Sequence, residues 1–381
     1  MALTVEEFQK IGYINYGYIS PEISSPDEYP SYIKKAAWEA VEKIQSQQNR
    51  NSITFGFMTD LHYSETYNHN IRGKRLMNAY KDTAAMVGCD TLILGGDYVN
   101  DGTKAYKSNG YRGLRAQLSG IDYLPVNGNH DDNSIWDNNC IFHAEGNNKH
   151  TLSTEELYML FYNHLPRLGA EFDKENPGLY YLYNDNVKKV RYIFIDTADI
   201  PGLLTEDGKP KYTKQHTMAV SQKQINWLLN TALKFDEKGW DIIFVTHEAL
   251  KPSFENVENT EARRLKFLTD VIDAYKKGEA INNTYLSDEF EISVKADFSK
   301  YEKGNIIALF AGHHHRDSIE YTKTGVPYIY IANVMMYGNV PVERKDGEKS
   351  EILFDMVTIN RDEKKIYLTR IGAGEDRETS Y

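Results

Sequence analysis

Short apolar runs of β character recur along this chain, and each stops at a cluster of Asp, Asn or His. Ile53 to Thr59 ends at Asp60, Thr91 to Leu94 at Gly95-Gly96-Asp97, and Tyr123 to Val126 at Asn127-Gly128-Asn129-His130. Further on, Tyr192 to Ile195 ends at Asp196, Ile242 to Val245 at Thr246-His247, and Ile306 to Phe310 at Gly312-His313-His314-His315. Runs of this length and composition read as buried strands. Helical stretches lie between them, one from about Arg72 to Val87 and one opening at Ser221, a good N-cap with Gln224 at the capping-box position. The alternation is that of an α/β protein. In open α/β sheets, ligands bind in the crevice beyond the carboxyl ends of the strands. Separate segments are therefore expected to bring polar side chains to one edge of one sheet.

Composition limits what such an edge can serve. Among 381 residues, 55 acidic side chains outnumber 44 basic ones, for a formal charge of −11. A protein that grips nucleic-acid phosphates usually carries the opposite excess, so polymeric nucleic acid is a disfavoured partner. Two cysteines, Cys89 and Cys140, without CxxC spacing exclude a disulfide framework and a cysteine-ligated zinc site. A bridge between the two is the one pairing left open. The first residues carry no basic and apolar leader, and no run of about 18 apolar residues occurs, so no membrane span is expected. The location expected on these grounds is cytoplasmic, with a removed leader as the alternative. Residues 1–50 read as an N-terminal extension packed on the main body, with helical spacing from Lys34 to Ile44. Residues 51–381 read as the catalytic domain, with an insertion at about 248–304 that carries a charged helix from about Glu261 to Lys277. The insertion is expected to overhang the site and shape substrate choice. Strand-like segments at Tyr328 to Ala332, Ile352 to Ile359 and Lys365 to Arg370 follow it. Oligomeric state has no sequence signature here.

The residues at the strand ends define a chemistry. Asp60 and His62 are two apart, so both can face one crevice, and Asp97, Asn129, His247, His313 and His315 come from other strand ends. That is a set of seven nitrogen and oxygen ligands without sulfur. Carboxylates mixed with imidazoles suit manganese, iron or zinc. The set is too large for one ion with open positions, and suits two ions sharing a carboxylate, about 3.5–4 Å apart.

In order, Asp60-x-His62, Gly96-Asp97, Gly128-Asn129-His130-Asp131, His247 and Gly312-His313-His314-His315 resemble the motifs of the calcineurin-like metallophosphoesterases. The resemblance covers about residues 51 to 320, and the helix at Ser221 to Leu229 is similar to one common in that family. It implies a four-layer α/β/β/α sandwich of two mixed β-sheets with flanking helices. It also implies a first metal on Asp60, His62, Asp97 and His315, and a second on Asp97, Asn129, His247 and His313, with Asp97 bridging. His130 would face the phosphate, stabilising developing charge or protonating the leaving oxygen. Two departures narrow the subfamily. Protein Ser/Thr phosphatases carry Gly-Asp-x-Val-Asp-Arg-Gly, whereas this chain has Gly96-Asp97-Tyr98-Val99-Asn100-Asp101-Gly102. The Asp that supports the catalytic His is thus replaced by Asn100, which could orient His130 but not stabilise its cation, leaving Asp101 or Asp131 to compensate, and the phosphate-gripping Arg is absent. Purple acid phosphatases have a Tyr ligand at the position of Asn100 and no His at that of His62, so an iron–tyrosinate colour is not expected.

Other polar residues near these motifs have plainer readings. His314 would point away from its neighbours, and Asp196 fits a helix- or turn-capping role. Arg72, Arg75 and Arg316 are either phosphate clamps or solvated surface arginines. His69, His143, His150, His164 and His216 read as exposed loop or helix residues. The function expected is hydrolysis of a small phosphate ester by in-line attack of a metal-bridging hydroxide. A phosphodiesterase, of the kind that cleaves cyclic nucleotides, ranks slightly ahead of a phosphomonoesterase acting on a small metabolite. A polynucleotide nuclease comes third. The alternative of a different class is a non-catalytic binding protein that retains the fold.

Overall fold

The structure, a computed structural model, describes residues 28–65, 67–89, 91–139, 148–249, 260–285, 288–300, 302–334 and 342–381. Cys140, His143, most of the N-terminal extension and the start of the insertion at 250–259 lie outside the described residues. The apolar runs form strands where the sequence places them, at β1 (Ile53–Met58), β2 (Thr91–Leu94) and β3 (Asp122–Pro125), and again at β6 (Val190–Ile195) and β7 (Asp241–Thr246), while β4 (Glu171–Phe172) and β5 (Tyr181–Asp185) are strands that the sequence reading does not single out. The insertion holds β8 (Ala280–Tyr285) and β9 (Ile292–Asp297), followed by β10 (Asn305–Ala311), β11 (Ser318–Tyr321) and β12 (Pro327–Tyr330). The tail adds β13 (Leu353–Asn360), β14 (Lys365–Gly372) and β15 (Arg377–Ser380), the last of which carries no apolar run that would announce it.

These strands do not make one sheet. The first sheet runs β15-β14-β13-β1-β2-β3 and the second β11-β12-β10-β7-β6-β5-β4, while β8 and β9 form a separate hairpin. Within the first, β1, β2 and β3 are parallel, as are β6, β7, β10 and β12 within the second. The motif-bearing strands therefore end on one rim shared by two mixed sheets, as the family resemblance implies, whereas the strand-end pattern alone puts them on one sheet. Continuous apolar runs look alike whichever neighbour they pair with, so periodicity cannot assign strands to sheets.

The two sheets bury their facing sides against each other. Phe55 meets Tyr192 and Phe310 edge to face, at centroid distances of 5.9 and 5.4 Å, and Phe57 lies 5.8 Å from Phe310. Alternate residues of β7 point opposite ways. Ile243 and Val245 join this central core, whereas Ile242 and Phe244 join a second core under the outer helices. Helices α1 (Ser31–Gln47), α2 (Tyr67–Val87) and α3 (Lys104–Gln117) are amphipathic. The α1 stripe Ile33, Ala36, Ala37, Ala40, Val41 and Ile44 follows helical spacing and is buried. On the second sheet's outer side lie α4 (Gln222–Trp227) and α5 (Thr260–Lys277), the latter burying Leu265, Leu268, Val271, Ile272 and Tyr275 in that outer core. The α5 part of the insertion thus packs as a layer on that side. No helix among the described residues is long and apolar enough to cross a membrane.

One buried ionic network ties the tail to the rim. Asp355 on β13, fully buried, accepts from Arg370 Nε at 2.8 Å and also from Arg377 of β15. Both arginines reach on to Asp317, which follows the histidine-rich turn and accepts the Ala332 amide at 3.0 Å. Burial raises the Asp355 carboxyl pKa, but the two guanidinium groups outweigh it and hold the carboxyl at about 2. A carboxyl held below its unfolded value stabilises the fold above about pH 4 and loses that contribution as pH falls towards 2. Asp355→Asn should cost about 3 kcal/mol at pH 7, since it leaves buried guanidinium charge undercompensated. Urea unfolding across a pH series should show the gap between variant and wild type narrowing below about pH 4.

Candidate metal centre

The chain reaches the rim through tight turns. Beyond β1 and β2 the backbone stays paired, with Asp60 N to Gly96 O at 3.0 Å, His62 N to Asp97 O at 2.9 Å and Tyr63 N to Tyr98 O at 2.8 Å. Asp60, His62, Asp97, His313 and His315 all sit in the left-handed region, with φ of 53°, 42°, 54°, 65° and 53°. Such a conformation costs a non-glycine residue about 1 kcal/mol or more, and it persists only where the surroundings over-determine it. Those surroundings are visible. Asp131, one residue past His130, takes the amides of Gly128 at 2.7 Å, Tyr98 at 2.8 Å and Asp97 at 3.2 Å, so one buried carboxylate locks the turns after β2 and β3 together. Between the neighbouring ends of β10 and β7, Gly312 N donates to His247 O at 2.9 Å, and across the sheets Val334 N donates to Thr59 O at 2.9 Å and Asn127 Nδ2 to Asp196 Oδ1 at 3.0 Å.

The seven expected ligands meet at this junction. His315 Nε2 lies 3.1 Å from Asp60 Oδ1, and His62 and His247 place their Nε2 atoms 3.7 and 3.3 Å from Asp97 Oδ2. Asn129 Oδ1 lies 2.8 Å from His247 Nε2 and 3.0 Å from His313 Nδ1. Ligand atoms of Asp60, His62 and His315, and those of Asp60, Asp97 and His247, fall within 4.8 Å of one another. Asp60 and Asp97 are 0 and 1 % exposed, so two carboxylates share a dry pocket. Burial alone would raise their pKa values, but neighbouring imidazoles overcome it and hold both below the usual carboxylate range, chiefly His315 and His247 for Asp60 and His247 and His130 for Asp97. Burial holds His62 and His313 neutral, with pKa values pushed down to about 3. For His247 burial acts downward too, yet Asp97 wins and lifts the imidazole to about 10. Hard oxygens beside imidazoles, with no sulfur, suit divalent or trivalent cations.

His130 stands beside this cluster, its ring 5.2 Å from that of His62 and its amide 2.8 Å from Asp97 Oδ1. Its Nδ1 is 2.6 Å from Asp101 Oδ2, which places Asp101, the first of the two alternatives to Asn100, on the ring. The sequence assigned that orienting role to Asn100. The turn runs so that Asn100 N bonds to Tyr63 O at 3.1 Å and the next residue comes to face His130. Asp131, the other alternative, is occupied by backbone amides. Burial lowers the His130 pKa, but Asp101 and Asp97 raise it further, to about 9. Lys107, fully buried, donates to His130 O at 2.8 Å and lies 3.5 Å from Asp101. On the opposite side of the ring, Gln215 Nε2 is 3.3 Å from His130 Nε2. Glu248 Oε2 lies 3.4 Å from His313 Nε2.

Sequence reasoning missed Gln215, Lys107 and Glu248. Gln215 lies in an irregular stretch without periodicity, Lys107 reads as a surface helix residue, and only the position of Glu248 next to His247 was a hint. Three other readings change. Arg72 and Arg75 are neither clamps nor solvated, but buried in ion pairs with Asp346 and Glu351 at 2.6 and 2.8 Å. His69 is buried rather than exposed, and Gln224 does not complete a capping box. Ser221 caps α4, but the Gln224 amide pairs with both backbone groups of Asp196, at 2.9 Å each. Asp196 does cap a turn, accepting Ala198 N at 2.9 Å. Arg316 and His216 are exposed, and the His314 ring lies 5.3 Å from that of Tyr330.

The sequence matches the calcineurin-like phosphoesterase family over residues 53–317, well over half the chain, and the protein belongs to that family. It is accordingly a phosphoric ester hydrolase, and its Asp and His side chains form groups that could hold a metal ion. Among solved structures it is similar to a dimetal phosphatase from Danio rerio, with a TM-score of 0.53 and 15% identity over 86% of this chain and 99% of that one. Looser likenesses are a 5'-nucleotidase from Candida albicans, with a TM-score of 0.37 and 16% identity over 74% of this chain and 46% of that one, and the NAD nucleotidase of Haemophilus influenzae, with a TM-score of 0.37 and 11% identity over 86% and 49%. Comparison with the curated proteins gives no match.

The glycines of the motifs are required by close approach. A Cβ on Gly312 would lie 2.0 Å from Thr59 Oγ1 and 2.6 Å from Asp60 Oδ2, and one on Gly128 would lie 2.3 Å from Asp97 Oδ1. Gly312→Ala should therefore separate the histidine turn from Asp60. Manganese affinity measured by calorimetry is expected to fall at least tenfold, with the far-UV circular dichroism unchanged.

Proposed function

We propose that Asp60, His62, Asp97, Asn129, His247, His313 and His315 hold two metal ions (manganese, iron or zinc) and that the enzyme cleaves a phosphodiester, with Asp97 shared between the ions. The observation that carries this reading is the pair of buried carboxylates, Asp60 and Asp97, ringed by imidazoles, with His130 poised at the edge. Bound there, the ions would neutralise phosphate charge and lower the pKa of coordinated water. The chain's own residues do the rest. His247 and His313 are fixed on Asn129, and His315 on Asp60, so the ligands are pre-set rather than recruited. As the water oxygen bonds to phosphorus and the ester P–O bond breaks, His130 Nε2 gives its proton to the leaving oxygen, and Asp101 stabilises the imidazolium beforehand. Asp101 thereby supplies the charge that Asn100 cannot.

The preference for a diester rests on charge. A monoester dianion calls for an additional cationic clamp, but Arg72 and Arg75 are spent on Asp346 and Glu351, and Lys107 on backbone carbonyls. A singly charged diester needs less. The test is the initial rate on bis-p-nitrophenyl phosphate beside p-nitrophenyl phosphate after chelation and manganese reloading. Diester preference is expected, and a faster monoester would make the enzyme a phosphomonoesterase. Less than one ion per chain, with neither ester turned over on reloading, would favour a non-catalytic binding protein. Asp97→Asn should cost the most activity and lower metal content. His130→Ala should reduce kcat by about 10²–10⁴-fold while metal content by atomic absorption stays at the wild-type level.

A further inference from the structure

Gln215 reaches His130 from a stretch of chain that carries no motif. It sits in a turn between β6 and α4, where His216 N and Thr217 N both return to Thr213 O, at 3.1 and 2.9 Å. The turn is fastened on two sides. Lys214 N donates to Ser134 Oγ at 3.1 Å, and the Ser134 amide donates in turn to Asp132 Oδ1 at 2.9 Å, in the loop after β3 that carries His130. Ala219 N donates to Thr197 O at 3.0 Å, just past the end of β6. Thr213 and Lys214 are 5 and 8 % exposed, so the backbone that delivers Gln215 is packed. The Gln215 side chain, half-buried, extends from that anchored turn to His130 Nε2.

The two nitrogens of the His130 ring are held unequally. Nδ1 lies 2.6 Å from the Asp101 carboxylate, a short contact to a charged group, whereas Nε2 lies 3.3 Å from the Gln215 amide, which is long for a hydrogen bond. Asp101 and the bond to Cβ grip the same edge of the ring, so on their own they leave the far edge, with Nε2, free to swing. A contact at Nε2 removes that swing. A primary amide suits this place because it carries an acceptor and a donor on one carbon. Its oxygen accepts from the Nε2–H before a proton transfer, and its NH2 donates to the bare nitrogen afterwards, with a turn about one bond. A contact this long also yields at little cost to an arriving oxygen.

We infer that Gln215 is a positioning residue for the proton transfer: it keeps His130 Nε2 aimed at the reacting edge of the centre and gives up its place to the leaving oxygen of the ester. The inference rests on the phosphoesterase reading, in which the Nε2–H bond of His130 breaks as the O–H bond of the leaving group forms. Gln215 itself neither gains nor loses a proton. Its influence therefore shows where the leaving oxygen needs that proton, and fades where the leaving group departs as a stable anion.

The test uses phenyl and p-nitrophenyl phosphate and their methyl diesters, pairs of similar shape whose leaving groups differ in their need for a proton. Gln215→Met, which keeps the side chain's length without the amide, and Gln215→Ala are compared with wild type, with far-UV circular dichroism and metal content as controls. Both variants should lower kcat on the phenyl esters about tenfold more than on the p-nitrophenyl esters. In a His130→Ala background the same substitutions should leave the ratio between the two leaving groups where His130→Ala alone puts it. In protein carrying isotope-labelled histidine and no paramagnetic ion, the NMR resonance of His130 Nε2, identified by its absence in His130→Ala, should move in Gln215→Met. Equal loss on both leaving groups, a change confined to KM, an added effect in the His130→Ala background or an unmoved resonance overturns the inference and leaves the hydrolytic centre standing. Failure of manganese-loaded wild type to hydrolyse any of the four esters overturns the phosphoesterase reading and this inference with it.

Discussion

Two carboxylates buried side by side govern this structure. Asp60 and Asp97 lie at the ends of neighbouring parallel strands, out of contact with water, where like charges repel strongly. Nothing in an ordinary core would tolerate the pair. Around them the fold gathers imidazoles from four separate strand ends, and turns whose backbone is held in a conformation that those residues would not choose alone. The cost of that backbone is met by the hydrogen bonds of Asp131 and by the contacts that stitch one sheet to the other. The centre is thus a place where hydrogen bonds join the two sheets, and where buried carboxylates are held ionised by the imidazoles around them.

The strand runs and their polar ends were legible because burial on both faces forces continuous apolar sequence, and because metal-type ligands after such runs are rare by chance. The partition into two sheets was legible only through the family resemblance, not from the runs themselves. The strand that flanks β1 on one side is β13, which joins the chain some 300 residues later, and nothing local announces the pairing. The same blindness to distance explains Arg72 and Arg75, whose partners lie 274 and 276 positions away. Read locally, an arginine on a polar helix is exposed or grips a ligand. Folded, both are internal ties.

Asn100 and Asp101 illustrate a finer limit. The order of residues names both as neighbours of the motif aspartate, but which of them faces His130 depends on the path of a turn whose backbone bonds back to Tyr63. One step along the chain exchanges a neutral amide for a carboxylate and so changes what charge the imidazole can hold. Gln215 is harder still, because it arrives from an irregular stretch that has no period to read. Its neighbour Lys214 lies in a buried acidic neighbourhood that looks, in sequence, like part of an ordinary surface loop.

The position of β13 to β15 has a consequence for how the protein is made. These strands complete the sheet that holds β1, and Arg377 of β15 reaches the aspartate that follows the histidine turn. During synthesis the ligands from residues 60 to 315 leave the ribosome well before the segment that fixes their scaffold. A partly made chain therefore carries these histidines and carboxylates without the scaffold that sets their geometry. The final arrangement of these side chains is in this sense a late event, reached only once residues 353–380 have been added and the two sheets have closed.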